Sequence, residues 1–367
     1  STVSAASLAE RAAERTNDGL AFEGAVALAR RIRTKEISSL ELTRHFIDRI
    51  ERFDVDVGAV VVRDFERALE DARRADAALA RGDVRGPLHG LPMTIKEAYD
   101  VAGLATTWGV PAFSGNVASA DSAVASRLRA AGAHFLGKTN LPVMLGDFQT
   151  SNELFGTTKN PRDMARGPGG SSGGSAAALA AGLSALEVGS DIGGSVRNPA
   201  HFCGVYAHKP TWGIVSMRGH EHPSVPPSPD MAVAGPLARS ADDLAVALDV
   251  LAGADLPDAD GWRLELQPPR RRSPHGLAPP SSSRASSRKR PAASYHLRAS
   301  EIGDDGHARS SATTSGVRPH ARFVVDARRA RATSRSSGPA METTASAGAM
   351  PNAMTDTTFA TTSPNAA

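Results

Sequence analysis

A single cysteine, Cys203, occurs among the 367 residues. One thiol excludes an intramolecular disulfide and any Cys-based metal cluster. Histidine spacing of the HExxH kind is absent too, so no metal is expected. No run approaches the roughly 20 apolar residues that a membrane-spanning helix needs. The first residues, STVSAASLAERAAERTNDG, lack the apolar core of a signal peptide. The expectation from these absences is a cytoplasmic protein without membrane contact.

Acidic charge is scarce only in the last part of the chain. Residues 268–367 hold 15 of the 42 Lys and Arg but 6 of the 39 Asp and Glu, which leaves 27 basic and 33 acidic residues before them. The stretch up to 267 therefore carries about −6, and the stretch after it about +9. The overall basicity belongs to the tail, so it gives no reason to expect a nucleic-acid partner for the rest. The same tail has 16 Ser and 14 Arg against two Leu and no Trp. Such a composition buries too little apolar surface to offset its ordering entropy. Three segments are expected: residues 1–20 as an N-terminal extension, 21–267 as the folded domain, and 268–367 as a low-complexity, disordered tail. The abrupt change of texture has the look of a reading-frame shift.

What is present before residue 267 is an alternation of helical and strand patterns. Apolar residues at helical spacing run from 21 to 52, with a break near Thr34–Ser38 and Ser38 or Ser39 as the cap of the second helix. Residues 64–81, 122–131, 175–182 and 240–252 also read as helix. Ala59–Val62, Leu91–Ile95, Ala133–Leu136 and Leu186–Val188 read as short strands, the second of them ending on Lys96. The pattern predicts an α/β fold with a mixed sheet flanked by helices.

Two glycine- and serine-rich segments carry the chemistry. GPGGSSGGSAAALAAG spans 167–182, and GSDIGGSVRNPA spans 189–200. A Gly/Ser run alone reads as a linker. Here it leads directly into an Ala/Leu helix, and a second Gly-Gly-Ser follows an apolar strand. Glycines serve where backbone must approach backbone or a ligand closely. Two such loops suggest a site built from serine hydroxyls and main-chain N–H groups.

These segments resemble those of the amidase-signature family. The likeness extends to HGLPMTIKEAYDVAG (89–103), GAHFLGKTNLP (132–142), FGTTKNP (155–161), FCGVYAHKPT (202–211) and GPLARSADDLA (235–245). Lys96 precedes Ser171 by 75 positions, and Ser195 follows it by 24, intervals that agree with the family's. The resemblance covers about residues 25–265 and then fades, which implies an amidase-signature fold that is incomplete at its C-terminal end.

Carried over residue by residue, the resemblance implies that Ser195 is the acylated nucleophile. Ser171 would be the bridging serine, held in a cis peptide, and Lys96 the base. Ile192, Gly193, Gly194 and Ser195 would offer oxyanion-hole N–H groups, with Ser172, Asp191 and Arg197 supporting the loop or the substrate. The chemistry is consistent: a serine hydroxyl needs a base to become a nucleophile, and a lysine serves as one when burial disfavours its charge. The implied activity is hydrolysis of a small-molecule amide without cofactor. Two alternatives are the glutaminase subunit of a tRNA-dependent amidotransferase and an inactive truncated remnant. A homodimer is an assembly that the sequence leaves open.

Two competing motifs have the wrong context. Gly132 through Thr139 matches the phosphate-binding G-x-x-x-x-G-K-T pattern. Its apolar centre, however, reads as a strand, and Pro142 disfavours a following helix. A histidine-based site would draw on His89, His134, His201, His208, His220 or His222, but no G-x-S-x-G elbow accompanies them.

Overall fold

The computed structural model describes residues 18–221, 230–255, 258–261, 263–266 and 321–324. The expected helical run from 21 to 52 is two helices, α1 (Ala25–Arg33) and α2 (Ser39–Val57), broken where the pattern broke. α1 buries Ala25, Leu28, Ala29 and Ile32, the i, i+3, i+4, i+7 stripe of an amphipathic helix. α2 begins with a capping box: the Ser38 hydroxyl accepts the Glu41 N–H, and the Glu41 carboxylate accepts the Ser38 N–H. Such a cap contributes about 1 kcal/mol. Phe46, Ile50 and Phe53 then point inward from α2 to the main core.

β1 (Val60–Arg63) and α3 (Phe65–Ala80) follow, and then β2 (Pro92–Lys96), α4 (Ala123–Ala130) and β3 (His134–Thr139). β2 and β3 are parallel, as a strand–helix–strand crossover requires, while β1 runs antiparallel along the other side of β3. All residues of β2 and β3 are buried, which explains their continuous rather than alternating apolar pattern. After the two-residue strands β4 (Ser151–Asn152) and β5 (Gly156–Thr157) come α5 (Gly173–Ala180), β6 (Glu187–Asp191), α6 (Arg197–Cys203), β7 (Tyr206–Ala207), β8 (Val233–Ala238) and α7 (Ala241–Leu251). β6, β8 and β7 form a second, antiparallel sheet in that order. The expected mixed sheet is thus two three-stranded sheets among the described residues, with β2 and β6 in contact.

α5 binds the two sheets together, for it touches β2, β3, β6 and β8. Every one of its eight residues is buried, so its Gly/Ala composition is a packing requirement. A Cβ on Gly174 would lie 2.4 Å from the Asn140 nitrogen. Only glycine permits this approach.

The last described elements are β9 (Arg263–Leu266) and β10 (Ala321–Val324), paired antiparallel. The expectations for 1–20 and 268–367 otherwise fall outside the described residues, apart from 18–20 and this β10, for which the sequence pattern predicted no structure.

One buried acid sets a pH dependence on the fold. Glu187 in β6 is fully buried and accepts a hydrogen bond from the Thr94 hydroxyl. Burial pushes its carboxyl up from 4.5 to about 8, against the hydroxyls of Thr94, Ser175 and Thr139. The folded chain therefore holds this proton where the unfolded chain has released it. The stability from Glu187 is full at pH 4 and is lost as pH rises towards 8, at up to about 1.4 kcal/mol per pH unit. Glu187→Gln should flatten that decline between pH 5 and 8 in urea titrations. A variant with the wild-type pH profile would show that Glu187 is ionised in the fold.

Candidate active site

The site assembles where β2 ends beside β6. Lys96 is the last residue of β2 and is fully buried. Its Nζ donates to Ser171 Oγ at 2.7 Å and to Ser190 Oγ at 3.1 Å. Burial lowers its pKa from 10.5 to about 7, with Asp191 pulling the other way. Near neutral pH the amine is partly unprotonated, so it has the basicity to take a proton from a hydroxyl 2.7 Å away.

Ser171 sits on the Gly167–Ser172 loop, and the Gly170–Ser171 peptide is cis. The loop is pinned from several sides. The Thr150 hydroxyl donates to the Gly169 carbonyl at 2.8 Å, and the Gly170 N–H donates to Asn198 Oδ1 at 3.2 Å. A Cβ on Gly170 would lie 2.5 Å from the Asp147 carbonyl, so this position too requires glycine. Ser172 joins the loop to both neighbours. Its N–H donates to the Ser195 carbonyl at 3.0 Å, and its hydroxyl lies 3.3 Å from both the N–H and the carbonyl of Ser190.

Asp191, at the end of β6, organises the second serine loop. Its carboxylate accepts the N–H groups of Gly194 (2.9 Å), Val196 (3.0 Å) and Arg197 (3.3 Å). Arg197 closes on it as well, through Nε at 3.1 Å and Nη2 at 2.9 Å. Burial by itself would raise the Asp191 pKa, but Arg197 and the loop N–H groups hold it below the usual range. Asp191 and Arg197 thus form an ion pair that shapes the loop. The Gly194 N–H, expected among the oxyanion donors, is committed to Asp191. The N–H groups of Ile192, Gly193 and Ser195 have no acceptor among the described residues. Ile192 and Gly193 are exposed, and Ser195 is 8% exposed. Among the described residues the Ser195 hydroxyl has no hydrogen-bond partner, whereas Ser171 is engaged by Lys96.

The structure brings Lys96 and Ser171 into direct contact and places the Ser195 main chain against Ser172. Two neighbours were not foreseen from the sequence. Ser190 shares Lys96 with Ser171, and the Tyr99 hydroxyl donates to the Gly189 carbonyl at 2.7 Å, tying the segment after β2 to β6. Ser190 stands next to Asp191 in the second motif, which was the available signal. Tyr99 lies in the quoted 89–103 segment, which gave no sign of its partner on β6.

The competing motifs resolve differently. Gly137, Lys138 and Thr139 lie inside β3, and Lys138 Nζ is buried against the Ala105 carbonyl and the Thr106 hydroxyl. This lysine holds a loop of its own chain. None of the described histidines hydrogen-bonds Ser171 or Ser195, and His222 lies outside the described residues. Cys203 is buried and its thiol is pushed up to about 12 by burial, which leaves it unreactive.

The Amidase family profile matches residues 41–278. The glutamyl-tRNA(Gln) amidotransferase A-type subunit of Moorella thermoacetica is 43% identical over 242 residues, or 64% of this chain and 49% of that one. Peptide amidase from Stenotrophomonas maltophilia superposes with a TM-score of 0.61 at 35% identity, over 65% of this chain and 50% of that one. A 6-aminohexanoate cyclic dimer hydrolase superposes with a TM-score of 0.58 at 35% identity, over 65% and 48%. The chain thus spans about half the length of these relatives. With the profile matched over more than half of its residues, the chain belongs to the amidase-signature family.

Proposed function

We propose that the site hydrolyses a carboxylic amide through an acyl-enzyme on Ser195. The observation that carries this reading is Lys96, a fully buried amine with a pKa near 7 whose Nζ lies 2.7 Å from Ser171 Oγ. Ser195 Oγ attacks the carbonyl carbon while Ser171 accepts its proton and passes its own to Lys96. The oxyanion of the tetrahedral intermediate is held by the N–H groups of Ile192, Gly193 and Ser195. Removing one such donor typically costs about 10²–10³ in rate. The C–N bond then breaks, and Ser171 returns a proton to the leaving nitrogen. Water, deprotonated along the same relay, releases the acid and frees Ser195. No cofactor enters these steps.

The purified full chain is to be incubated with a panel of primary amides, glutamine included, in the presence of hydroxylamine. Ammonia release together with hydroxamate is the expected result, because an acyl-enzyme partitions between water and the stronger nucleophile. Ammonia without hydroxamate would argue for direct attack by water. Neither product from any amide would favour the inactive-remnant reading.

The likeness to the Moorella amidotransferase, at 43% identity, supports a second reading, in which the same site releases ammonia from glutamine for a partner protein. Turnover confined to glutamine, and dependent on added partner proteins, would favour it.

A further inference from the structure

A cavity lies at the opposite end of the first sheet from Lys96. In the β2–β3 ladder Pro92 pairs with His134, and Lys96 pairs with Thr139. At about 3.3 Å per residue, His134 is therefore on the order of 15 Å from the level of the catalytic lysine. The cavity, of about 110 Å³, is walled by α3, the loop after it, α4 and the start of β3. Its charged and titratable lining is Asp71, Arg74, Arg85, His89, Arg129 and His134.

The charges in this lining do not balance. Three arginines and one aspartate line it, Arg85 as an exposed residue. Asp71 is shared, pairing with Arg74 and, at 3.3 Å, with Arg129. Arg74 also meets Glu70 at 3.6 Å, and Arg129 meets Asp121 at 3.0 Å. Arg85 has no carboxylate partner among the described residues. His89 is committed: its Nδ1 accepts the Arg85 N–H at 3.1 Å, and its Nε2 faces the Ala75 carbonyl at 3.1 Å. His134 is not fully committed. It is 2% exposed, and its Nε2 bonds Thr43 Oγ1 at 2.9 Å, but its Nδ1 has no partner among the described residues. That nitrogen is not sealed inside the protein but opens onto the cavity that His134 lines, where a ligand would meet it.

We propose that this cavity binds a small oxyanion of the phosphate class. Arg85 and Arg74 would supply guanidinium donors suited to its oxygens, and His134 Nδ1 would complete the set as a donor. The volume suits one tetrahedral anion, and among the described residues Asp71 is the acidic residue that lines it. Nothing in this proposal depends on the amidase chemistry.

Inorganic phosphate titrated calorimetrically into the full chain, at ionic strength held constant with chloride, should bind saturably at one site. Arg85→Ala should weaken binding about tenfold. Asp71→Asn should tighten it several-fold, because the competing carboxylate is gone. The ¹⁵N resonances of His134 should shift on titration of the wild-type chain, a readout that needs no variant. Phenyl phosphate separates two sources: equal affinity means that a phosphate group on a larger molecule enters, and much weaker binding means a free ion. Heat that does not saturate, an unmoved His134, or an Arg85→Ala affinity equal to that of the wild type would overturn the assignment.

Discussion

Ser195→Ala is expected to lower kcat by about 10⁴–10⁶, the range seen when a serine hydrolase loses its nucleophile. It should do so almost without cost to the fold. The Ser195 hydroxyl has no hydrogen-bond partner among the described residues. What Ser195 gives the structure is its carbonyl, which accepts the Ser172 N–H at 3.0 Å, and alanine keeps that carbonyl. The unfolding free energy should therefore move by no more than about 0.5 kcal/mol. A fluorophosphonate probe should label Ser195 in the wild-type chain and nothing in the variant. Ser171→Ala would behave differently, since it removes the hydroxyl that Lys96 meets at 2.7 Å. Labelling at Ser171 or Ser172, or a Ser195→Ala chain with residual turnover near wild type, would move the nucleophile elsewhere.

The parts of this site that were legible in the sequence are those with local causes. β2 was visible as a short apolar run, and its end on Lys96 fixed where that lysine must emerge. α5 was visible because an Ala/Leu helix followed the Gly/Ser loop. The pairing of Lys96 with Ser171 came from the family motif rather than from any local pattern, for 75 residues separate them. Ser190 was not legible as a second partner of Lys96. That contact exists only because β2 and β6, strands of different sheets, come side by side. The commitment of Gly194 to Asp191 was hidden for a related reason: consecutive N–H groups in a glycine loop look equivalent until the loop's conformation is known.

β8 shows how a local rule loses to tertiary context. Val233–Ala238 contains Gly235 and Pro236, both of which ordinarily interrupt strands. It is nevertheless the middle strand of its sheet. Pro236 pairs with Val188 on β6, while the two-residue β7 reaches only Leu237 and Ala238. Pro236 thus lies beyond the end of β7, and its carbonyl accepts the His208 N–H at 3.0 Å. Burial of all six residues then outweighs the poor local propensity.

Lys96→Met should make the chain both inert and more stable. Methionine fills nearly the same volume without an amine, so the base is lost and kcat should fall by about 10⁴, the upper end for general-base removal. In the wild type the rate should rise with pH and level off above about 7, as Lys96 gives up its proton. The stability effect has the opposite sign and a defined window. The folded pKa of about 7 lies below the ordinary 10.5, because burial disfavours the charge. Between these values the unfolded chain binds more protons, so wild-type stability climbs with pH; below 7 the whole penalty is present. At about 1.4 kcal/mol per pH unit this amounts to several kcal/mol. Loss of the Ser171 hydrogen bond returns about 1 kcal/mol of it. Urea titrations at pH 6 should therefore find Lys96→Met more stable than wild type, with the gap narrowing towards pH 10. A variant that melts lower at pH 6 would show that the buried amine carries no such penalty, and one that turns over within tenfold of wild type would show that Lys96 is not the base.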